Sequence, residues 1–270
     1  MILVFDVGAT KTRLALVEGE TLGEIVRLDT DRSVAGFERL QGVVQELAAG
    51  HKLTAVAGGL PGQLDAKTGA LSRVMNMPAW NGTPALKGLS EVVDCPVYLA
   101  NDTVLVGLGE ARYGAGDTKG VMAYVTISSG VNAVRLVDGA VDGTIRLFDV
   151  GQQLLSDGDG RVVTLEALTG GAAFVRRQQR DPSGVRDGRT WRAEEHYLAR
   201  GLYNTILHWT PETVVFGGSM MRDIDLAAVE SELEALRPEL PYVPRLAEAA
   251  LGDRGGLYGA MVWAGEHSRS

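Results

Sequence analysis

Ile2-Leu-Val-Phe-Asp6-Val-Gly8-Ala9-Thr10-Lys11-Thr12-Arg13 opens the chain, and its reading decides the fold. The apolar run stops at Asp6 and Gly8, as a short buried strand does. Strand-like runs follow at residues 13–17 and 25–28, with turn residues between them, so an antiparallel meander is expected. Phe37, Leu40, Val43, Val44 and Leu47 share one helical face, and Gly50 is placed to stop that helix. Residues 53–57 read as a strand running into Gly58-Gly59-Leu60-Pro61-Gly62. A weaker helix at 84–93, a strand at 97–100 and a helix at 103–113 complete the order βββ-α-β-α-β-α.

The second half repeats this order loosely. Residues 120–127 and 131–137 are strand-like, and Asp138-Gly139 is a good hairpin turn. Helices are expected at 164–177 and 194–209, and a strand at 214–216 opens onto Gly217-Gly218. Two similar α/β units imply two domains with a cleft between them and a hinge near residues 114–119. Residues 178–192, rich in Arg, Asp and Gly, read as an exposed excursion.

Composition narrows the chemistry. A length of 270 residues allows one large domain or two of ordinary size, and 45% hydrophobic residues suffice for real cores. The 35 glycines are about twice the usual share of ~7%. One cysteine, Cys95, excludes an intramolecular disulfide framework and a cysteine-cluster metal site. The four histidines show no ligand spacing. A net charge of −8 argues against holding nucleic acid by phosphate neutralisation. The opening apolar run is too short for a signal core or a membrane span, so a cytoplasmic protein with no membrane partner is expected. Without secretion, the glycosylation-type triplets at Asn81 and Asn101 carry no meaning.

Four features carry candidate chemistry. In the first, Asp6 ends a strand and Gly8-Ala9-Thr10-Lys11-Thr12 follows as a turn of small, hydroxyl and basic residues. Such a turn could hold phosphate oxygens, with Asp6 holding Mg²⁺ through water, or it could be a plain hairpin. The second is Asn101-Asp102: a helix cap, or a carboxylate that takes a proton from a substrate hydroxyl. The third, Ser128-Ser129-Gly130, could clamp phosphate or simply turn a hairpin. The fourth, Gly217-Gly218, would let a flat ligand or another backbone approach closely.

In this order the features resemble the ROK group of bacterial sugar kinases and sugar-responsive regulators, within the actin-like, hexokinase-like ATPase superfamily. The resemblance covers nearly the whole chain. Asp6–Arg13 resembles the family's first phosphate loop, and Gly59-Leu-Pro61-Gly62 with Asp65 its sugar-side loop. Asn76-Met-Pro-Ala-Trp80 is similar to its Asn…Trp segment. Asn101-Asp102 with Gly109-Glu110 and Gly114-Ala-Gly116 resembles its catalytic region. Phe216-Gly217-Gly218 resembles its adenosine loop, and Ala250-Leu-Gly-Asp253 with Gly256-Leu-Tyr-Gly-Ala260 its C-terminal signature.

The resemblance implies an α/β protein of two actin-like, ribonuclease H-like domains around a central cleft. They would span residues 1–115 and 116–253, with a helix at about 254–268 packed back on the first. It implies an ATP-dependent kinase for a hexose hydroxyl, usually the 6-OH, and a homodimer by analogy. Mg²⁺ would lie near Asp6. The ATP phosphates would lie on Gly8, Ala9, Thr10, Lys11, Thr12, Ser128, Ser129 and Gly130, and the adenosine on Gly217 and Gly218. Asp102 would be the general base. Pro61, Gly62, Asn101, Asp102, Asp149, Gln152 and Glu166 would hold the sugar.

The chain departs from the family pattern on the sugar side and in the second phosphate loop. The Glu-x-Gly-His motif is Asp149-Val-Gly-Gln152, and residues 158–166 keep Leu165-Glu166 but none of the zinc-loop cysteines, so no structural zinc is expected. Ser128-Ser129-Gly130 replaces Gly-Thr-Gly, and Asn132 stands where glycine is common. These changes read as an active kinase with shifted sugar preference. The competing class is a non-catalytic sugar sensor. Because the chain starts directly with the first strand, a DNA-bound repressor is not expected.

Overall fold

Leu3, Val4, Phe5 and Val7 are wholly buried, and the strand they form lies inside a six-stranded sheet. The computed structural model describes residues 1–143, 149–236 and 240–268. The chain divides into two compact units, Met1–Gly109 with Asp253–Ser270, and Glu110–Gly252.

The first unit contains β1 (Ile2–Val7), β2 (Lys11–Glu18), β3 (Thr21–Leu22), β4 (Val26–Asp29), α1 (Gly36–Ala48), β5 (Ala55–Leu60), β6 (Gln63–Leu64), β7 (Leu71–Ser72), α2 (Ala85–Ser90) and β8 (Val97–Asn101). The helix α3 (Asp102–Tyr113) follows, and the division between units falls inside it. The sheet runs β3-β2-β1-β5-β8, with β4 also on β2. β1 and β2 are antiparallel, while β1, β5 and β8 are parallel. α1 buries Phe37, Leu40 and Val44. Phe37 meets the edge of Trp80 at 5.7 Å. The helix ends where Gly50 takes φ +77°, a left-handed stop that glycine adopts without strain.

The strand expected to end at Ala57 does not end there. β5 continues through both glycines to Leu60, and the ring of Phe5 occupies the space a side chain at Gly58 would need. Bare backbone there lets a neighbouring ring fill the layer.

The second unit contains β9 (Val121–Ile127), β10 (Val131–Val137), β11 (Ala140–Val141), β12 (Leu154–Ser156), β13 (Val162–Thr164), α4 (Leu165–Thr169), α5 (Gly171–Gln178), α6 (Gly188–Trp209), β14 (Thr213–Gly217), α7 (Leu226–Ala235) and β15 (Arg245–Glu248). Its sheet runs β11-β10-β9-β14-β15. The pairing repeats that of the first: antiparallel β9–β10, then parallel β14 and β15. Asp138-Gly139 does turn a hairpin, with Val137 opposite Ala140.

Two expectations need correction here. The single helix over 164–177 is two, α4 and α5, because Gly170 is extended at φ −70°, ψ 139°. The segment 178–192 is not wholly exposed: Val185 and Trp191 are buried, and Trp191 stacks on Phe174 at 5.0 Å. Asp187 caps Arg189 and starts α6 six residues earlier than periodicity suggested.

The last helix, α8 (Gly255–His267), belongs to the first unit and packs on β1 and β5. It also lies close against α3, where Gly259 sits directly on the carbonyl of Leu105, and Gly109 on that of Gly255.

Candidate active site

In the first unit the site is built around a buried carboxylate. Asp6 stands opposite Arg13 in the β1–β2 ladder and beside Gly59 in the β1–β5 ladder. Arg13 Nη1 lies 4.0 Å from Asp6 Oδ2, and its Nη2 donates to Asp253 Oδ1 at 2.6 Å. Gly256, in the first turn of α8, lies against Asp6: a Cβ there would be 2.5 Å from Asp6 Cγ. The helix start can therefore approach the carboxylate, and its dipole favours negative charge. On the other side a Cβ at Gly59 would lie 3.3 Å from Asp6 Oδ1 and 3.2 Å from Asp102 Cα.

Burial pushes the Asp6 carboxyl up to about 7; the Asp102 charge adds to this, Arg13 opposes it, and Asp253 raises it a little more. Asp102 is pushed up to about 6, mainly by burial, with hydrogen bonds from Thr103 holding it lower. Asp6 and Asp253 share the Arg13 guanidinium, and the Asp102 charge acts on Asp6 as well, a local surplus of negative charge of the kind that suits a divalent cation. Among the described residues no group of three or more His, Cys, Asp or Glu could itself hold a metal ion.

Asn101 and Asp102 do cap α3. Thr103 N donates to Asn101 Oδ1 at 3.0 Å and to Asp102 Oδ1 at 2.8 Å. Asn101 also donates from Nδ2 to the Gly62 carbonyl at 2.8 Å, tying the buried Pro61 turn to the end of β8. Gly62 has φ +82°, and a Cβ there would meet Ser72 O at 2.6 Å, so only glycine makes this turn without strain.

The turn 8–11 closes through Gly8 N to Lys11 O at 3.0 Å. Thr30, which no sequence motif singled out, buttresses it. Its hydroxyl donates to Gly8 O at 2.8 Å and meets Thr12 Oγ1 at 2.9 Å, and its amide donates to Thr10 O at 3.0 Å. Lys11 is held in an exposed ion pair with Asp29. Asp65 stays outside the cluster in its own turn, accepting from Thr68 N at 2.8 Å. Trp80 is a core residue whose Nε1 donates to Ser33 O at 3.1 Å.

In the second unit the candidate residues gather at the ends of β9 and β14. Ser128 N donates to Gly130 O at 2.9 Å, while Gly171 N and Ala172 N donate to Ser128 O and Ser129 O at 2.7 and 2.9 Å. Glu166 Oε2 accepts from Val131 N at 2.9 Å and would lie 2.5 Å from a Cβ at Gly130. Asp149 and Gln152 flank a turn whose Gly151 is pressed on the Val131 carbonyl. Gly217 is opposite Thr126, and Gly218, at φ +98°, lies against the Ile127 carbonyl. Where the family's cysteine loop would be, β12 and β13 form a hairpin. Its turn is held by Asp157 Oδ1, which accepts from Asp159 N and Arg161 N at 2.9 and 2.8 Å.

Sequence reasoning passed over Arg13 and Glu110 as functional side chains. A tight turn after Val7 puts Arg13 opposite Asp6, so hairpin register could have found it. Glu110 is fully buried and accepts from Ala115 N, Ala250 N and Leu251 N at 3.0, 3.0 and 2.9 Å. Two of those amides come from distant sequence, and no local pattern announces them.

The sequence model of the ROK family matches residues 2–143 and 158–267. The chain belongs to the ROK family. Among its relatives, a glucokinase from Pyrobaculum calidifontis is 28% identical over 247 residues, covering 81% of this chain and 79% of that one. A ROK hexokinase from Thermus thermophilus superimposes with a TM-score of 0.81 at 26% identity, covering 99% of both chains. A ROK transcriptional regulator homologous to the E. coli MLC protein shares the fold, with a TM-score of 0.76 at 19% identity, over 97% of this chain and 77% of that one. The ROK fold thus carries both kinases and regulators. Among the described residues no helix of this ROK protein is long and apolar enough to cross a membrane.

Proposed function

We propose that this ROK protein transfers the γ-phosphoryl group of ATP to a hexose hydroxyl, the 6-OH by analogy with its family. The observation that carries the reading is Asp102: a half-buried carboxylate just past the end of a parallel strand, one glycine away from Asp6, with its ionisation lifted to about 6. A carboxylate poised there is ionised at neutral pH and basic enough to accept a hydroxyl proton. Asn101 and the Pro61–Gly62 turn it anchors orient the sugar, with Asp149, Gln152 and Glu166 as further sugar contacts. Gly8, Ala9, Thr10, Lys11 and Thr12, with Ser128, Ser129 and Gly130, hold phosphate oxygens. Gly217 and Gly218 give the adenosine its close backbone approach. Asp6 would hold Mg²⁺, which would supply charge neutralisation for the phosphates. The loop after β12 is held by its own hydrogen bonds, and we propose no structural zinc; stoichiometric zinc in elemental analysis overturns that point.

ADP release with Mg-ATP across a panel of hexoses and N-acetylhexosamines tests the reading, with Asp102→Asn as control. Sugar-dependent release lost in the variant supports it. Sugar binding without release on any member of the panel favours the sensor reading, which the regulator's shared fold keeps in view.

A further inference from the structure

We infer that Arg177, locked by Glu194, is a positioning residue for the nucleotide-phosphate turn at Ser128–Gly130. The inference rests on the kinase reading above. Two short helices touch that turn. α5 reaches it with its first amides, Gly171 N and Ala172 N, on the carbonyls of Ser128 and Ser129. α4 reaches it through Glu166, which takes the amide of Val131 and walls Gly130. The extended Gly170 separates the two helices, its amide bonded to Glu166 O in α4 and its carbonyl accepting from Phe174 N in α5.

Arg177 joins them. It stands at the end of α5 and folds its guanidinium back onto the end of α4, donating to the carbonyls of Ala167 and, at 2.6 Å, Leu168. Nη2 also donates to Glu194 Oε1 at 2.6 Å. Glu194 lies on the long helix α6 and is only 4% exposed, against 35% for Arg177. Its other oxygen is buried with no hydrogen-bond partner among the described residues. A buried carboxyl so placed has the guanidinium as its hydrogen-bond partner, and the guanidinium is fixed in return. The planar fork lets one side chain serve two carbonyls and a carboxylate at once, which an ammonium cannot match in geometry. Arg177 therefore sets the angle at which Glu166 and the α5 amides meet the turn, without touching the turn itself.

The experiment measures binding of Mg-AMPPNP and of hexose separately, by calorimetry, to wild type, Arg177→Ala and Arg177→Lys, alongside thermal melts. Arg177→Ala is expected to weaken Mg-AMPPNP about tenfold or more, and hexose, which meets only Glu166 among the groups Arg177 aligns, by clearly less. Arg177→Lys should fall between them, and it decides the matter if Arg177→Ala does not fold. A folded variant pair with wild-type nucleotide affinity overturns the inference, as does equal weakening of sugar and nucleotide. Failure of wild type to bind Mg-AMPPNP overturns the kinase reading as well, which separates the two failures.

Discussion

The two units place different chemistry on one scaffold. Each sheet has an antiparallel hairpin followed by two parallel strands. At the same rung of that scaffold the first unit has Asp6 between Arg13 and Gly59, and the second has Thr126 between Asn132 and Gly217. The first rung is charged and buried. The second is neutral, and its turn is stitched by backbone amides to α5 and by Glu166 to α4. The difference suits a division of labour. Burial next to like charge raises carboxylate basicity, which proton abstraction needs. Fixed backbone groups define the shape of a turn, which the proposed phosphate role of Ser128–Gly130 needs.

The sharpest way to break this comparison is at Asp102. Asp102→Asn should lower kcat by about 10²–10⁴-fold, with Mg-AMPPNP affinity unchanged in calorimetry. Loss under tenfold would remove the chemical distinction between the units. The wild-type pH profile tests the same point. The base must be ionised, so kcat/KM should fall as pH drops through about 6; a fall only near pH 4, the ordinary carboxylate range, contradicts a base made stronger by burial.

Glycine substitutions compare how each unit is held. Gly259→Ala drives a methyl into the Leu105 backbone, and Gly218→Ala forces φ +98° on alanine beside the Ile127 carbonyl. Each should cost about 1–3 kcal/mol in urea unfolding. Gly265→Ala, on the same helix as Gly259 with nothing near its Cβ, should be neutral or stabilising.

A smaller effect concerns Glu194, whose carboxyl burial pushes from 4.5 up to about 7 against the pull of Arg177. The folded state holds this proton where the unfolded chain releases it. Stability should therefore decline by about 1–3 kcal/mol as pH rises from 4.5 to about 7. Glu194→Gln should flatten that slope in melts across this range. Smallest of all is Lys11→Ala. Its pair with Asp29 is exposed on both sides, so stability should change by under ~1 kcal/mol, while the Mg-ATP KM should rise only severalfold.

Much of the strand order was legible because it is local: short apolar runs, punctuated by glycine and charge, mark strands wherever they pack. Gly58-Gly59 misled the reading because glycine inside a strand and glycine in a turn look alike in sequence. Only the ring of Phe5 across the sheet distinguishes them. Residues 178–192 misled it because their polar composition hid Val185 and Trp191, which the core takes up. At the site, Asp6, Asn101 and Asp102 stood at strand ends and could be named. Glu166 was named for the sugar; its bond to Val131 N at the start of β10 has no local signal in the sequence.

The sequence by itself determined the repeated α/β plan, the family and the strand-end residues, because hydrophobic periodicity and turn chemistry act over a few residues. The tertiary structure alone decided which charges meet. Arg13 and Asp253 are 240 positions apart, and Glu110 takes an amide from 140 residues away. Such pairings depend on strand register and on where the last helix lands, and burial of the resulting cluster sets the basicity of Asp6 and Asp102.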